Sequence, residues 1–175
     1  MILLTSLVNF FSLSDLTAPV IQNLSEDLVA TTDSGSATAI VTWTEPMATD
    51  NSGSTVVLSS DYDSGSAFPI GTTTITYTAV DSSNNYATST FTVTVNDEEV
   101  PTIGNCPGNI TTTESDSVVE WATPTFSDNS GTVYSSVNYD SGSEFSVGVT
   151  EIVYSVYDDS DNYNYCTFQI EVTGK

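Results

Sequence analysis

Apolar and polar residues alternate along "TTTITYTAV", where Ile75, Tyr77 and Ala79 share one face with threonines between them. That period of two is the mark of a half-buried strand. "ATSTFTVTV" does the same with Phe91, Val93 and Val95. The phrase "FPIGTTTITYTAVDSSNN" begins at Phe68 and returns 77 positions later as "FSVGVTEIVYSVYDDSDN" from Phe145. There Ile152, Tyr154 and Val156 precede Phe168, Ile170 and Val172, so the spacing survives where the letters change. Upstream, "ATAIVTWTEPMATDNSG" matches "SVVEWATPTFSDNSG", pairing Trp43 with Trp121 and Asp50-Asn51 with Asp128-Asn129. "PVIQNL" from Pro19 matches "PTIGNC" from Pro101.

Short strands at roughly ten-residue intervals, with Gly, Asn and Asp between them and one tryptophan per copy, predict an all-β chain. The expected architecture is two tandem immunoglobulin-like antiparallel β-sandwiches, residues 18–96 and 97–175, after an apolar N-terminal strand or tail over 1–17. Trp43 and Trp121 are expected in the cores rather than as sugar-stacking platforms. "DSSNN" and "DDSDN" fall between the last two strands as hairpin loops, since Asp and Asn tolerate turn dihedrals.

Charge narrows the function. The 175 residues carry 23 acids against one base, for a net charge of −22, and no histidine. No patch can neutralise phosphates, which makes nucleic acid and anionic membrane surfaces poor partners. Without histidine or an internal lysine the usual acid–base and Schiff-base chemistries are missing. A carboxylate-pair hydrolase is the common enzyme class left, and turn chemistry already explains the loop acids. The chain is read as non-catalytic.

The run from "PVI" through "VTWTEPMATDNSG" and "SGSAFPIGTTTITYTAVD" to the closing "FTVTV" resembles the hyalin repeat, or HYR domain. The resemblance covers about 18–95 closely and 99–172 more loosely. It implies an extracellular, non-catalytic protein of adhesion or matrix, at the cell surface or outside the cell. Cys106 stands where the first copy has Leu24, and Cys166 where it has Ser89, so the pair is kept together in one copy and lost together in the other. With the "CP" and "C-x-F" positions of the resemblance, this implies a Cys106–Cys166 disulfide, worth about 3–4 kcal/mol by loop closure, and an oxidising compartment. "NLS" at Asn23 and "NIT" at Asn109 are N-glycosylation sequons.

The linker "NDEEVP" is expected to bring Asn96, Asp97, Glu98 and Glu99 towards Asp128, Asn129, Asp158, Asp159 and Asp161, at the pole where the second copy's loops lie. So many oxygens without a base suit calcium, which takes six to eight such ligands. The alternative is a solvated acidic linker. No organic cofactor is implied. The tail "MILLTSLVNFFSLSD" has an apolar core too short for a membrane span and lacks the basic start of a secretory signal, an acid-free, atypical signal being the alternative. As a strand it puts Ile2, Leu4, Val8 and Phe10 on one face and Leu7 and Phe11 on the other, and both faces need cover. Either it folds back on its own domain, or it adds to a neighbouring copy as a donor strand. Head-to-tail donation does not close, and would build a filament of copies of this chain. The primary expectation is therefore a self-assembling extracellular structural subunit. The alternative is a calcium-dependent adhesion or glycan-binding module that meets cell-surface or matrix glycoproteins, with the tail packed locally.

Overall fold

The structure, a computed structural model, describes residues 15–113 and 117–174. The expected donor strand, Ile2, Leu4, Leu7, Val8, Phe10 and Phe11, lies outside the described residues. Among the described residues every regular element is a strand, and the chain is all-β, two tandem immunoglobulin-like sandwiches.

In the second repeat β9 (Thr102–Gly104) pairs with β12 (Thr125–Ser127), and β11 (Val118–Val119) with β14 (Ser143–Glu144), each antiparallel. A four-stranded sheet has the order β10-β16-β15-β13: Ile110–Thr113, Tyr163–Thr173, Gly148–Tyr157 and Tyr134–Val137. β10 runs parallel to β16, with Ile110 opposite Ile170. The long antiparallel hairpin β15–β16 sets Ile152 against Phe168 and Tyr154 against Cys166.

The first repeat has the same plan. β1 (Val20–Gln22) pairs with β4 (Met47–Thr49), and β3 (Thr38–Ile40) with β6 (Ala67–Pro69). Its four-stranded sheet is β2 (Leu28–Thr31), β8 (Tyr86–Asn96), β7 (Gly71–Val80) and β5 (Val57–Ser60), with β2 parallel to β8. Gly71 and Gly148 open the equivalent strands at φ 106° and 133°, values that glycine alone adopts readily.

Compactness does not follow the repeat boundary. One unit gathers the described residues up to Asp27 with Thr42–Ser64 and Thr74–Thr92. The other gathers Leu28–Val41, Gly65–Thr73 and the chain from Val93 onward, so strand segments of the first repeat belong with the second.

The alternating positions are the buried ones. Ile75, Tyr77, Ala79, Phe91, Val93 and Val95 in one copy, and Ile152, Tyr154, Val156, Phe168, Ile170 and Val172 in the other, are all at most 5% exposed. Burying each large apolar side chain contributes about 1.5–3 kcal/mol before entropy. In the second repeat Val119, Phe145 and Cys166 join this core, and Ile103, Ile110, Trp121, Phe126 and Val137 pack against it. Trp121 meets the Phe168 ring edge-on at 5.4 Å and donates from Nε1 to the Tyr154 hydroxyl at 2.8 Å. Trp43 meets Phe91 at 5.3 Å and donates to Tyr77 at 2.7 Å. Both tryptophans thus fill a core edge with the indole N–H satisfied.

The Tyr77 hydroxyl donates onward to Glu45. Burial, and then the Glu45 carboxylate, push its ionisation above the ordinary tyrosine value. A phenol whose folded pKa is raised contributes stability below its unfolded pKa and loses it as pH rises through the folded one. An absorbance titration at alkaline pH should therefore show Tyr77 ionising late, with Glu45→Gln moving that step to lower pH; an unmoved step would remove Glu45 from the cause.

Candidate cation site

Asp158 opens the β15–β16 turn, and the turn is built around it. Its Oδ1 accepts from the backbone N–H of Ser160 at 2.8 Å and of Asn162 at 2.9 Å, and its Oδ2 from the Asn162 side chain at 2.8 Å. The Asp158 N–H donates to the Asn162 carbonyl at 3.1 Å, and Asp161 takes up φ 64° to close the loop. This is the side-chain turn mimicry that Asp and Asn offer. Asp158 is only 1% exposed. The Asn162 amide also reaches the Asp97 carbonyl at 3.1 Å, fastening the linker to the turn.

Asp97 is 6% exposed. Its Oδ1 accepts from Asn129 Nδ2 at 3.0 Å, from the Glu99 N–H at 3.2 Å and from the Thr32 hydroxyl at 3.3 Å. Asn129 Nδ2 also donates to the Ser36 carbonyl at 3.0 Å. Asp128 Oδ2 accepts from the Ser130 N–H at 2.8 Å. The remaining oxygens of this group, Asp97 Oδ2, Asp128 Oδ1 and Asn129 Oδ1, are buried and accept no hydrogen bond among the described residues. One carboxylate oxygen from each of Asp97, Asp128 and Asp158 lies within 4.8 Å of the others.

A buried acceptor left unpaired costs about 1–3 kcal/mol, more when charged, and like charges this close repel. A hard divalent cation relieves both penalties at once. The donors are all oxygens, two of the orphans are anionic, and the Asn129 carbonyl oxygen adds a neutral one. That set suits calcium and not a metal that prefers nitrogen or sulfur.

Of the nine acids and amides expected to converge, Asp97, Asp128 and Asp158 form the cluster, and Asn129 packs beside it. The others are committed elsewhere. Glu99 accepts from the Gly35 N–H at 2.9 Å, and Asp159 from the Tyr134 hydroxyl at 2.9 Å. Asn96 and Glu98 are exposed, and Asp161 is exposed at the left-handed turn position. Alternation along the linker turns Asn96 and Glu98 outward when Asp97 turns in. Sequence reasoning overlooked an equivalent cluster, Asp15, Asp50 and Asp81. The signal was legible: "D-x-x-x-P" stands at Asp15 and Asp97, and "DNSG" at Asp50 and Asp128.

Cys106 and Cys166 are joined in a disulfide with Cα atoms 6.0 Å apart. Both sequon asparagines, Asn23 and Asn109, are exposed.

Repeated sandwiches with poles of this kind define a tandem β-sandwich module. The HYR domain family matches residues 14–95 and 96–172, and the chain belongs to it. Hyalin of Strongylocentrotus purpuratus is 36% identical over 165 residues, covering 89% of this chain and 14% of that protein. Hyalin of Lytechinus variegatus is 36% identical over 139 residues, 75% of this chain and 26% of that one. A sushi, von Willebrand factor type A, EGF and pentraxin domain-containing protein 1 of Rattus norvegicus is 38% identical over 91% of this chain and 5% of its own length. The chain thus spans a minor part of each relative. Among solved structures, protocadherin gammaB7 EC3-6 gives a TM-score of 0.41 at 14% identity, over 89% of this chain and 50% of that one. Human protocadherin-24 EC1-2 gives 0.39 at 13%, over 90% and 99%.

Replacing Asn162 by Ala leaves the buried Asp158 Oδ2 without its donor and frees the Asp97 carbonyl. Urea denaturation should show a loss of about 1–3 kcal/mol, while Ser160→Ala, which keeps the backbone donor, should stay close to wild type.

Proposed function

We propose that this chain is a non-catalytic, extracellular pair of HYR repeats serving adhesion or matrix structure, with calcium binding at Asp97, Asp128 and Asp158. The observation that carries the reading is the trio of orphaned buried oxygens, Asp97 Oδ2, Asp128 Oδ1 and Asn129 Oδ1, beside Asp158 in a chain of net charge −22. Family membership, the Cys106–Cys166 bridge and two exposed sequons support the extracellular setting. Relatives named hyalin support a structural or adhesive role in a longer repeat array. Calcium here would tie the linker residue Asp97 to the Asp128 and Asp158 loops, and through Asn129 to Ser36 and Thr32. Partners of such a module are copies of itself and cell-surface or matrix glycoproteins.

Calcium that binds only the folded protein raises its unfolding temperature. Millimolar calcium should raise the midpoint of the full chain over chelator, and Asp97→Asn should shrink that rise; equal midpoints with and without calcium would overturn the calcium reading. Beads coated with the chain should cluster in calcium and disperse in chelator.

Self-assembly by strand donation is a separate proposal that rests on the two-faced apolar pattern of residues 2–13. Electron microscopy of the full chain beside one starting at Asp15 tests it. Filaments from the full chain alone are expected, and single particles from both would overturn it.

A further inference from the structure

Among the described residues, every buried side-chain oxygen without a hydrogen-bond partner belongs to one of two clusters. Three are those of Asp97, Asp128 and Asn129. The other two, Asp15 Oδ2 and Asp50 Oδ1, lie in the first repeat. The two clusters share their turn bonds and differ at the amide that follows the second acid: Asn129 packs into its cluster, whereas Asn51 is exposed. Asp81 Oδ1 accepts from the N–H of Ser83 and of Asn85, each at 2.8 Å, and Oδ2 from the Asn85 side chain at 2.7 Å. Those are the bonds that Asp158 receives from Ser160 and Asn162. The Asn85 amide donates to the Asp15 carbonyl at 3.0 Å, as Asn162 does to Asp97. Asp50 Oδ2 takes the Ser52 N–H at 2.8 Å, as Asp128 takes that of Ser130. In both clusters the first two acids each keep one buried oxygen unused, and one carboxylate oxygen from each of the three lies within 4.8 Å of the others. Asp81 is 6% exposed, as Asp97 is.

A second observation separates charge from turn chemistry. Elsewhere the two copies exchange Asp for Asn with the hydrogen bond intact. Asp27 Oδ1 accepts from the Thr92 N–H at 2.7 Å, and at the equivalent place Asn109 Oδ1 accepts from Gln169 at 2.9 Å. Asp61 Oδ1 accepts from Thr76 at 2.8 Å, and Asn138 Oδ1 from Val153 at 2.9 Å. Where an acceptor is all the fold needs, an amide oxygen serves. At the three cluster stations both copies have aspartate: Asp15 and Asp97, Asp50 and Asp128, Asp81 and Asp158. Three mutually close carboxylates are retained in duplicate, Asp81, Asp97 and Asp158 buried and Asp15, Asp50 and Asp128 half-buried, at positions where neutral Asn would relieve the repulsion and keep the bonds made by one oxygen.

We propose that each repeat carries its own divalent-cation site at this station, so that Asp15, Asp50 and Asp81 bind a second calcium ion in the first repeat. This rests on the calcium reading of the Asp97 cluster and extends it from one ion at a junction to one ion per repeat. The first acid always comes from the segment just before the repeat's first strand. Each ion therefore ties the entry segment of its repeat to the loop after β4 or β12 and to the final hairpin.

Calcium counting on the full chain tests this. Equilibrium dialysis up to about 10 mM calcium covers the 0.1–1 mM affinities usual for extracellular modules, with far-ultraviolet circular dichroism in chelator to establish folding. Wild type should bind two ions, Asp50→Asn one, Asp128→Asn one, and the double variant none. Asp15→Asn, which disturbs no hairpin bond, serves in place of Asp50→Asn if that variant fails to fold. One ion in wild type, lost with Asp128→Asn and kept with Asp50→Asn, overturns the first-repeat site and leaves the calcium reading of the second intact. No ion in wild type overturns both.

Discussion

Among the described residues a carboxylate has no basic side chain to turn to, because 23 acids share a sequence whose one base is Lys175. Compensation has to come from backbone N–H groups, hydroxyls, amides or ions from outside. The structure takes the first route widely. Asp27, Asp33, Asp61, Glu99, Asp81 and Asp158 each accept from a main-chain N–H distant enough to brace a loop or a strand edge. The acids therefore act as fasteners, doing between loops what salt bridges do elsewhere. Charge-assisted bonds of this kind are stronger than neutral ones. For Asp27 the Thr92 N–H holds the carboxyl below its ordinary range. A depressed carboxyl contributes stability above its unfolded pKa and loses it as pH falls through the folded one. Its counterpart Asn109 does the same work without that sensitivity.

The poles exhaust this supply of donors. Asp158 and Asp81 take the available turn N–H groups, and the neighbouring acids are left with oxygens that no described residue satisfies. The same shortage of bases that makes the surface so acidic thus makes the poles receptive to a cation.

Much of the fold was legible in the sequence. The period of two in "TTTITYTAV" and "TEIVYSVYD" named the residues that prove fully buried, because a strand with one face in a core has no other way to place Ile75, Tyr77, Ile152 and Tyr154. Trp43 and Trp121 were readable as core residues for the same reason. The pole was legible in part. Asp128 and Asp158 sit in turn motifs whose local geometry sequence alone suggests. Which linker acid turns inward depends on the phase of the chain leaving β8, and composition does not carry that phase: Glu98 and Glu99 are as acidic as Asp97. The first-repeat cluster needed the copies to be compared position by position, with attention to where Asp was exchanged for Asn and where it was not.

The disulfide makes the two repeats mechanically unlike, though they share a strand plan. If the chain is pulled from its two ends, the Cys106–Cys166 bond carries the load past everything between those residues, and 107–165 cannot lengthen. The first repeat, with Leu24 and Ser89 at the same places, has no such stop. Its first long-range pairing along the chain to the last strand is the parallel ladder of β2 on β8, held by hydrogen bonds alone, with no covalent stop behind it. An array alternating such copies would yield in steps, the unbridged repeats paying out chain while the bridged ones hold their length.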